Sequence, residues 1–214
     1  MGPMSARPSI REQVVRLRED AIVAAVNRLL ASKGYDAMTV DEVAAEAGIA
    51  KASLYKHFTS KEELAGAAMV AVLDRALAFV DGLRAQAAQQ PVKAIDQLKA
   101  VARWAMATQL EGEMPSLPSR NSSLTASLLG NDAYMDRLIA LSNKLSTWIA
   151  QAQAQGEIQV QYPAELVLYT LFARACDPVV DMLKSSGQYT DAQILDWVLA
   201  STFDGLAVAS KSGN

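Results

Sequence analysis

Residues 39–58 read TVDEVAAEAGIAKASLYKHF. Thr39 followed three residues later by Glu42 is a capping box, in which hydroxyl and carboxylate each take a free amide at a helix start. Val40, Val43, Ala44 and Ala47 recur at three- and four-residue steps, the inner face of a short helix. Gly48 stops it, because glycine enters the left-handed region at little cost. A second short helix runs from about Lys51 to His57. Two helices joined so tightly need small residues where they cross, a glycine at the turn and an apolar turn residue that plugs the core. Ala44, Gly48 and Ile49 meet those needs, so the spacing predicts a helix-turn-helix.

Working outward, Ser9 and Glu12 form another capping box ahead of a helix whose stripe is Ile22, Ala25, Val26, Leu29 and Leu30. Gly34 ends that helix. Ser60-Lys61-Glu62-Glu63 reads as a further capping box, opening a long helix toward Gln90. The three short helices make a trihelical head over residues 1–60. Beyond it, Pro91 breaks the chain and Val92–Leu110 is helical. Glu111–Ser123 reads as a loop, then a short helix covers Leu124–Leu129. Tyr134, Leu138, Leu141, Leu145, Trp148 and Ala152 stripe a helix of about 24 residues that Gly156 stops. Pro163–Leu183 and Asp191–Ser210 are the last two helices. Pro178 should kink or split the first of them, and Thr190 with Gln193 caps the second. The fold class is all-α, with residues 61–214 as a larger helical domain.

Half of the chain is apolar (51% of 214 residues), enough for a packed core. The only histidine is His57 and the only cysteine Cys176. That inventory excludes a disulfide framework, argues against metal clusters and resident cofactors, and leaves no Ser-His-Asp or Glu-x-x-His set for an enzyme. No apolar run reaches the length of a membrane span and no signal-peptide pattern opens the chain, so a cytoplasmic location is expected.

The net charge of −3 is not that of a generally basic nucleic-acid binder. The charge is uneven, however. Gly48–Lys61 holds Lys51, Lys56 and Lys61 and no acid. Any one of these lysines alone reads as a solvated surface charge. Together they sit where the second helix offers its N-terminal end, with amides and polar groups that suit phosphates and base edges.

From Ile22 to Leu64 the chain resembles the DNA-binding domain of the TetR/AcrR family of transcriptional regulators. The resemblance rests on Ala24-Ala25, Leu29, Gly34, Thr39-Val40, Val43-Ala44, Ala47-Gly48, Leu54-Tyr55, His57-Phe58 and Ser60-Lys61-Glu62-Glu63-Leu64. It implies that Lys51, Ala52 and Ser53 face bases, while Thr39, Tyr55, Lys56 and Lys61 hold phosphates. His57 belongs to the same motif, where a packing or helix-end role suits it better than catalysis. Ala50 and Ala52 depart from the family, which often has Ser or Thr and Gly there. The missing cap costs about 1 kcal/mol, and the Ala52 methyl can meet a thymine methyl. The resemblance further implies a ligand-responsive repressor, bound to a palindromic double-stranded DNA operator as a homodimer and released by a small apolar effector.

It fades after about Val72. For the effector site, Trp104, Met114, Tyr134, Trp148, Tyr169 and Phe172 are the candidates, each one ordinary core if taken alone. For the dimer interface, the last two helices offer Ala173, Trp197, Ser201, Phe203 and Leu206. The long helix from Lys61 is expected to be the only short mechanical link between the parts. The competing readings are a helical carrier protein with a vestigial helix-turn-helix and, least favoured on inventory, an all-α enzyme.

Overall fold

A computed structural model describes residues 9–116 and 122–206, without the side chains of Arg11 and Leu206. Ten α-helices carry the fold there: α1 (Ile10–Ala37), α2 (Val40–Glu46), α3 (Lys51–Leu54), α4 (Lys61–Gln89), α5 (Ala94–Leu110), α6 (Ser123–Leu129), α7 (Asp132–Ala154), α8 (Ala164–Ala173), α9 (Pro178–Ser185) and α10 (Asp191–Leu206). No strand occurs among the described residues, so the all-α expectation holds. None of these helices is long and apolar enough to cross a membrane. The expected end of the last helix at Ser210 lies outside the described residues.

Local signals place most boundaries. Ser9 and Thr39 close capping boxes with Glu12 and Glu42, and Thr190 does so with Gln193. Gly34 breaks α1 with a φ of 74°. At Ser60 the cap differs from expectation. Its hydroxyl accepts from the Glu63 amide (3.0 Å), but the Glu63 carboxylate reaches one residue further back, to the Thr59 amide and hydroxyl at 2.6 and 2.7 Å. Pro178 splits its helix, because a proline has no N–H to give. A 3₁₀ turn at Arg174–Cys176 ends α8, and the Asp177 carboxylate accepts from the Val179 amide at 3.0 Å to start α9 with Pro178 at its first position. Of the kink or split expected at Pro178, the structure shows the split.

Two cores result. The head core holds Ile22, Val26, Leu30, Tyr35, Met38, Val43, Leu54 and Phe58, closed by Leu64, Ala65, Ala68 and Met69 of α4. Leu124 and Leu128 of α6 also belong to it. The second core lies among α4, α5, α7, α8, α9 and α10, around Leu98, Met106, Leu145, Ile149 and Phe203. So α4 is not the only link between them. Ser116 and the first residue of α6 supply others. Ser116 donates its hydroxyl to the Leu30 carbonyl (2.9 Å), and Ser123 donates to Glu62 (2.9 Å) while lying 3.2 Å from the Tyr35 hydroxyl. Sequence periodicity on α6 shows only that it is amphipathic, not which core receives it.

Candidate functional site

The helix-turn-helix is built by one turn and three cross-links. Gly48 takes φ 67°, and the Ile49 amide reaches back to the Ala44 carbonyl (2.9 Å) while the Gly48 amide reaches Ala45 (3.1 Å). These two bonds are the Schellman closure of α2. Ile49 then packs against the head core, with Ala44 buried at the crossing. Arg28 to Glu46 (2.9 Å) and Lys33 to Glu42 (2.5 Å) tie α1 to α2, and His57 Nδ1 lies 3.1 Å from Glu19 on α1. His57 is thus a mostly buried clasp at the end of the second helix.

The second helix is shorter than its pattern suggests: α3 is helical over Lys51–Leu54 and continues as turns through His57. Ala50 supplies no side-chain cap. The first amides of α3 are therefore left for another acceptor. Leu54 is buried, which turns Lys51, Ala52, Tyr55 and Lys56 to solvent, with Ser53 partly covered.

The expected contact residues are differently engaged. Lys51 is 2.9 Å from Asp41, and that hydrogen bond holds its ammonium above the ordinary lysine range. Lys61 is set over the Tyr35 ring, 4.3 Å from its centroid, and donates to the Asp36 carbonyl at 3.4 Å. The Thr39 hydroxyl is spent on Glu42. Among the described residues Lys56 makes no ion pair, and Tyr55 beside it is 46% exposed. Tyr55 and Lys56 are thus the groups on this face that need exchange nothing to bind an anion.

Behind the head lies an apolar cavity of about 260 Å³. Of the six candidate residues it brings together Trp104, Met114, Tyr134 and Phe172. Trp148 and Tyr169 stand outside it. Along α7 the lining runs from Tyr134 through Leu138 and Leu141 to Leu145, and Trp148, about one turn further on, is beyond it. Tyr169 lies two residues from each of Val167 and Leu171, which form the buried face of α8, and this carries it to the opposite side, where it is 66% exposed. Alternating helix positions were legible in the sequence, but the end of the cavity was not. Met69, Val72, Leu73 and Ala76 of α4 and Cys176 also line it and are not among the candidates, since apolar side chains on a helix do not distinguish a cavity wall from plain core. The Cys176 thiol donates to the Pro115 carbonyl at 3.5 Å. Burial pushes the Tyr134 phenol up, so it stays a neutral donor. Among the described residues, no Lys, Arg, Asp or Glu is in the lining.

Of the interface candidates, Ala173, Trp197 and Ser201 are exposed, Trp197 to 48%. Phe203 is not available: it is 1% exposed inside its own chain, because the buried stripe of α10 runs Ile194, Leu195, Val198, Leu199, Phe203. The Leu206 side chain lies outside the described residues.

The family model described as "Bacterial regulatory proteins, tetR family" matches residues 22–68. A helix-turn-helix-type transcriptional regulator of Haemophilus influenzae is 31% identical over 166 residues, 71% of this chain and 77% of that protein. One of Mycobacterium tuberculosis is 42% identical over 67 residues, 31% of this chain; the match spans 28% of the length of that relative. The fatty acid degradation regulator FadR from Bacillus halodurans has the same fold, with a TM-score of 0.64 and 18% identity over 94% of this chain and 98% of that one.

Proposed function

The chain belongs to the TetR family of bacterial transcriptional regulators, and from that premise we propose that it is a repressor, a homodimer on a palindromic operator that a small uncharged apolar molecule releases. It is a family of regulators and not of enzymes. Residues 1–60 read double-stranded DNA in this proposal, and residues 61–214 bind the effector and the second copy.

One observation carries the reading. Met69 belongs to the head core and to the cavity wall at once. A molecule that displaces Met69, or the adjacent Val72 and Leu73, moves the helix on which the head is packed. Such a ligand acts on DNA only through a preference for one position of the heads over the other. A difference of about 1–3 kcal/mol changes operator affinity about 5–150-fold. The segment Met114–Ser116 offers a parallel route, from cavity wall to the Leu30 carbonyl.

The lining sets the effector class. A charge among these residues would be buried without a partner, at a cost of several kcal/mol. The volume lies just below the roughly 300–1,000 Å³ usual for drug-sized ligands. The ligand is therefore compact, uncharged and apolar, with at most one or two polar atoms for the Tyr134 hydroxyl or Cys176. Likeness to a fatty acid regulator at 18% identity concerns the fold alone and does not make this ligand an acyl compound.

On DNA, Lys51, Ala52 and Ser53 face bases, and Thr39, Tyr55, Lys56 and Lys61 hold phosphates, with His57 bracing the helix. Two heads on one dimer read half-sites whose centres lie about 34–36 Å apart or a multiple of it. Footprinting on the DNA upstream of the chain's own gene tests this; a single asymmetric half-site held by a monomer would refute it. The allosteric part has its own test. Once a thermal-shift screen of uncharged aromatic and lipid-like compounds supplies an effector, its affinity is measured by tryptophan quenching with and without operator. Operator DNA is expected to weaken the effector by the factor by which the effector weakens operator binding. Equal affinities in both conditions would exclude the coupling while leaving DNA binding intact.

A further inference from the structure

The cavity behind the head is not alone on α4, α5 and α7. One helical turn further from the head, a second and wider recess encloses about 590 Å³. The two are stacked on the same three helices. Ala76, Val101 and Leu145 line the inner cavity, and Val80, Gln97 and Trp148, three or four residues along each helix, line the outer recess. Their chemistry differs sharply. Among the described residues the outer recess is lined by two cations, Arg84 and Lys144, and four amide or hydroxyl side chains, and by no acid, although Asp81 is paired with Lys144 beside it.

Two of these groups are unfinished. Gln97 is only 5% exposed and its carbonyl oxygen has no hydrogen-bond partner. That oxygen is shut off from solvent and destabilising as it stands, and turning it into the recess would let a bound donor satisfy it. Lys144 is already paired with Asp81 at 2.6 Å, whereas Arg84 makes no ion pair among the described residues. Beside them the Trp148 ring, Val80, Pro91 and Val92 make an apolar wall. A guanidinium takes a carboxylate through two parallel N–H bonds, and a flat ring suits the face of an indole.

We propose that this recess is a second ligand site, distinct from the inner cavity, for an aromatic monocarboxylate that carries one further O–H or N–H donor. Arg84 receives the carboxylate, Trp148 and Val80 the ring, and the Gln97 carbonyl the donor. The site is separate from the effector proposed above, which must be uncharged.

The probe is 6-hydroxy-2-naphthoate, titrated calorimetrically into the full chain, beside 6-hydroxy-2-naphthamide without the charge and 2-naphthoate without the donor. Each comparator is expected to bind about tenfold more weakly. Arg84→Gln, at an exposed position, should erase the advantage of the acid over the amide. Gln97→Met should erase the advantage of the hydroxyl. In protein labelled with 5-fluorotryptophan, the fluorine resonance of Trp148 should move and that of Trp104 should stay. The proposal is overturned by any of three results: no binding of the probe at millimolar concentration, a charge preference that survives Arg84→Gln, or a shift at Trp104 in place of Trp148. The last would put the probe in the inner cavity.

Discussion

Lys51 and Lys56 lie five residues apart on one short segment, yet they differ in what DNA must do to engage them. Lys51 has to leave Asp41, while Lys56 makes no ion pair among the described residues. Lys56→Ala is therefore expected to weaken binding to all sequences alike and to lower the salt slope by about one unit. Lys51→Ala should instead change which operator is preferred. Salt-dependent anisotropy on specific and random duplexes separates the two, and an unchanged slope for Lys56→Ala would displace the phosphate contact from this residue. Glu42 is the acid–base counterpart. Hydrogen bonds from Lys33, then from the Thr39 hydroxyl and amide, lower its carboxyl from 4.5 to about 2. A carboxyl lowered by folding stabilises the fold above its unfolded pKa and loses that contribution as pH falls from about 4.5 toward about 2. The side chain is exposed, so solvent screening keeps the effect small. The melting temperature of the wild type should exceed that of Glu42→Gln by a constant margin at neutral pH, and the margin should shrink through that window. A margin that grows on acidification would contradict the assignment.

At the scale of the element, the turn after α2 shows which residues tolerate no exchange. Gly48 has a φ of 67° and open space where a Cβ would stand. The cost of a side chain there is torsional and not steric. Gly48→Ala should lower the unfolding free energy by about 1–2 kcal/mol, and Gly48→Asn by less, because asparagine enters the left-handed region more readily. Urea melts read both. Equal stability of the alanine variant would mean that the closure of α2 relaxes away from this turn. The brevity of α3 belongs here too. With Ala50 offering no cap and four residues in the helix, its geometry is held by Leu54, Ile49 and the His57–Glu19 contact more than by its own backbone.

At the scale of the whole molecule, an unshared surface remains on the outer faces of the last helices. Tyr169 on α8 and Trp197 on α10 are 66% and 48% exposed. We expect Tyr169→Glu and Trp197→Glu to yield chains that keep their helix content but sediment as monomers and bind operator poorly, since a charge buried without a partner costs several kcal/mol in a dimer and nothing comparable in solvent. Phe203→Glu should unfold the chain instead, as that ring is in its core. Sedimentation and far-ultraviolet circular dichroism distinguish these outcomes. Intact dimers for both surface variants would move the interface elsewhere.

What the amino-acid order determined by itself is what depends on near neighbours. Capping boxes at Ser9, Thr39 and Thr190, the stop at Gly48, the split at Pro178 and the helix-turn-helix all follow from residues three or four apart, whose hydrogen bonds and side-chain faces are local. The family could be read for the same reason, since its signature is a contiguous string. Tertiary structure alone decided what depends on which helix meets which. It drew α6 into the head core and so made a second link to the cavity. It left Trp148 beyond the inner cavity, put Phe203 inside the chain and paired Lys51 with Asp41. An apolar stripe records that a face is buried. Whether it is buried against a neighbour, a ligand or a second copy depends on packing between segments far apart in sequence, and no periodicity along one helix contains that information.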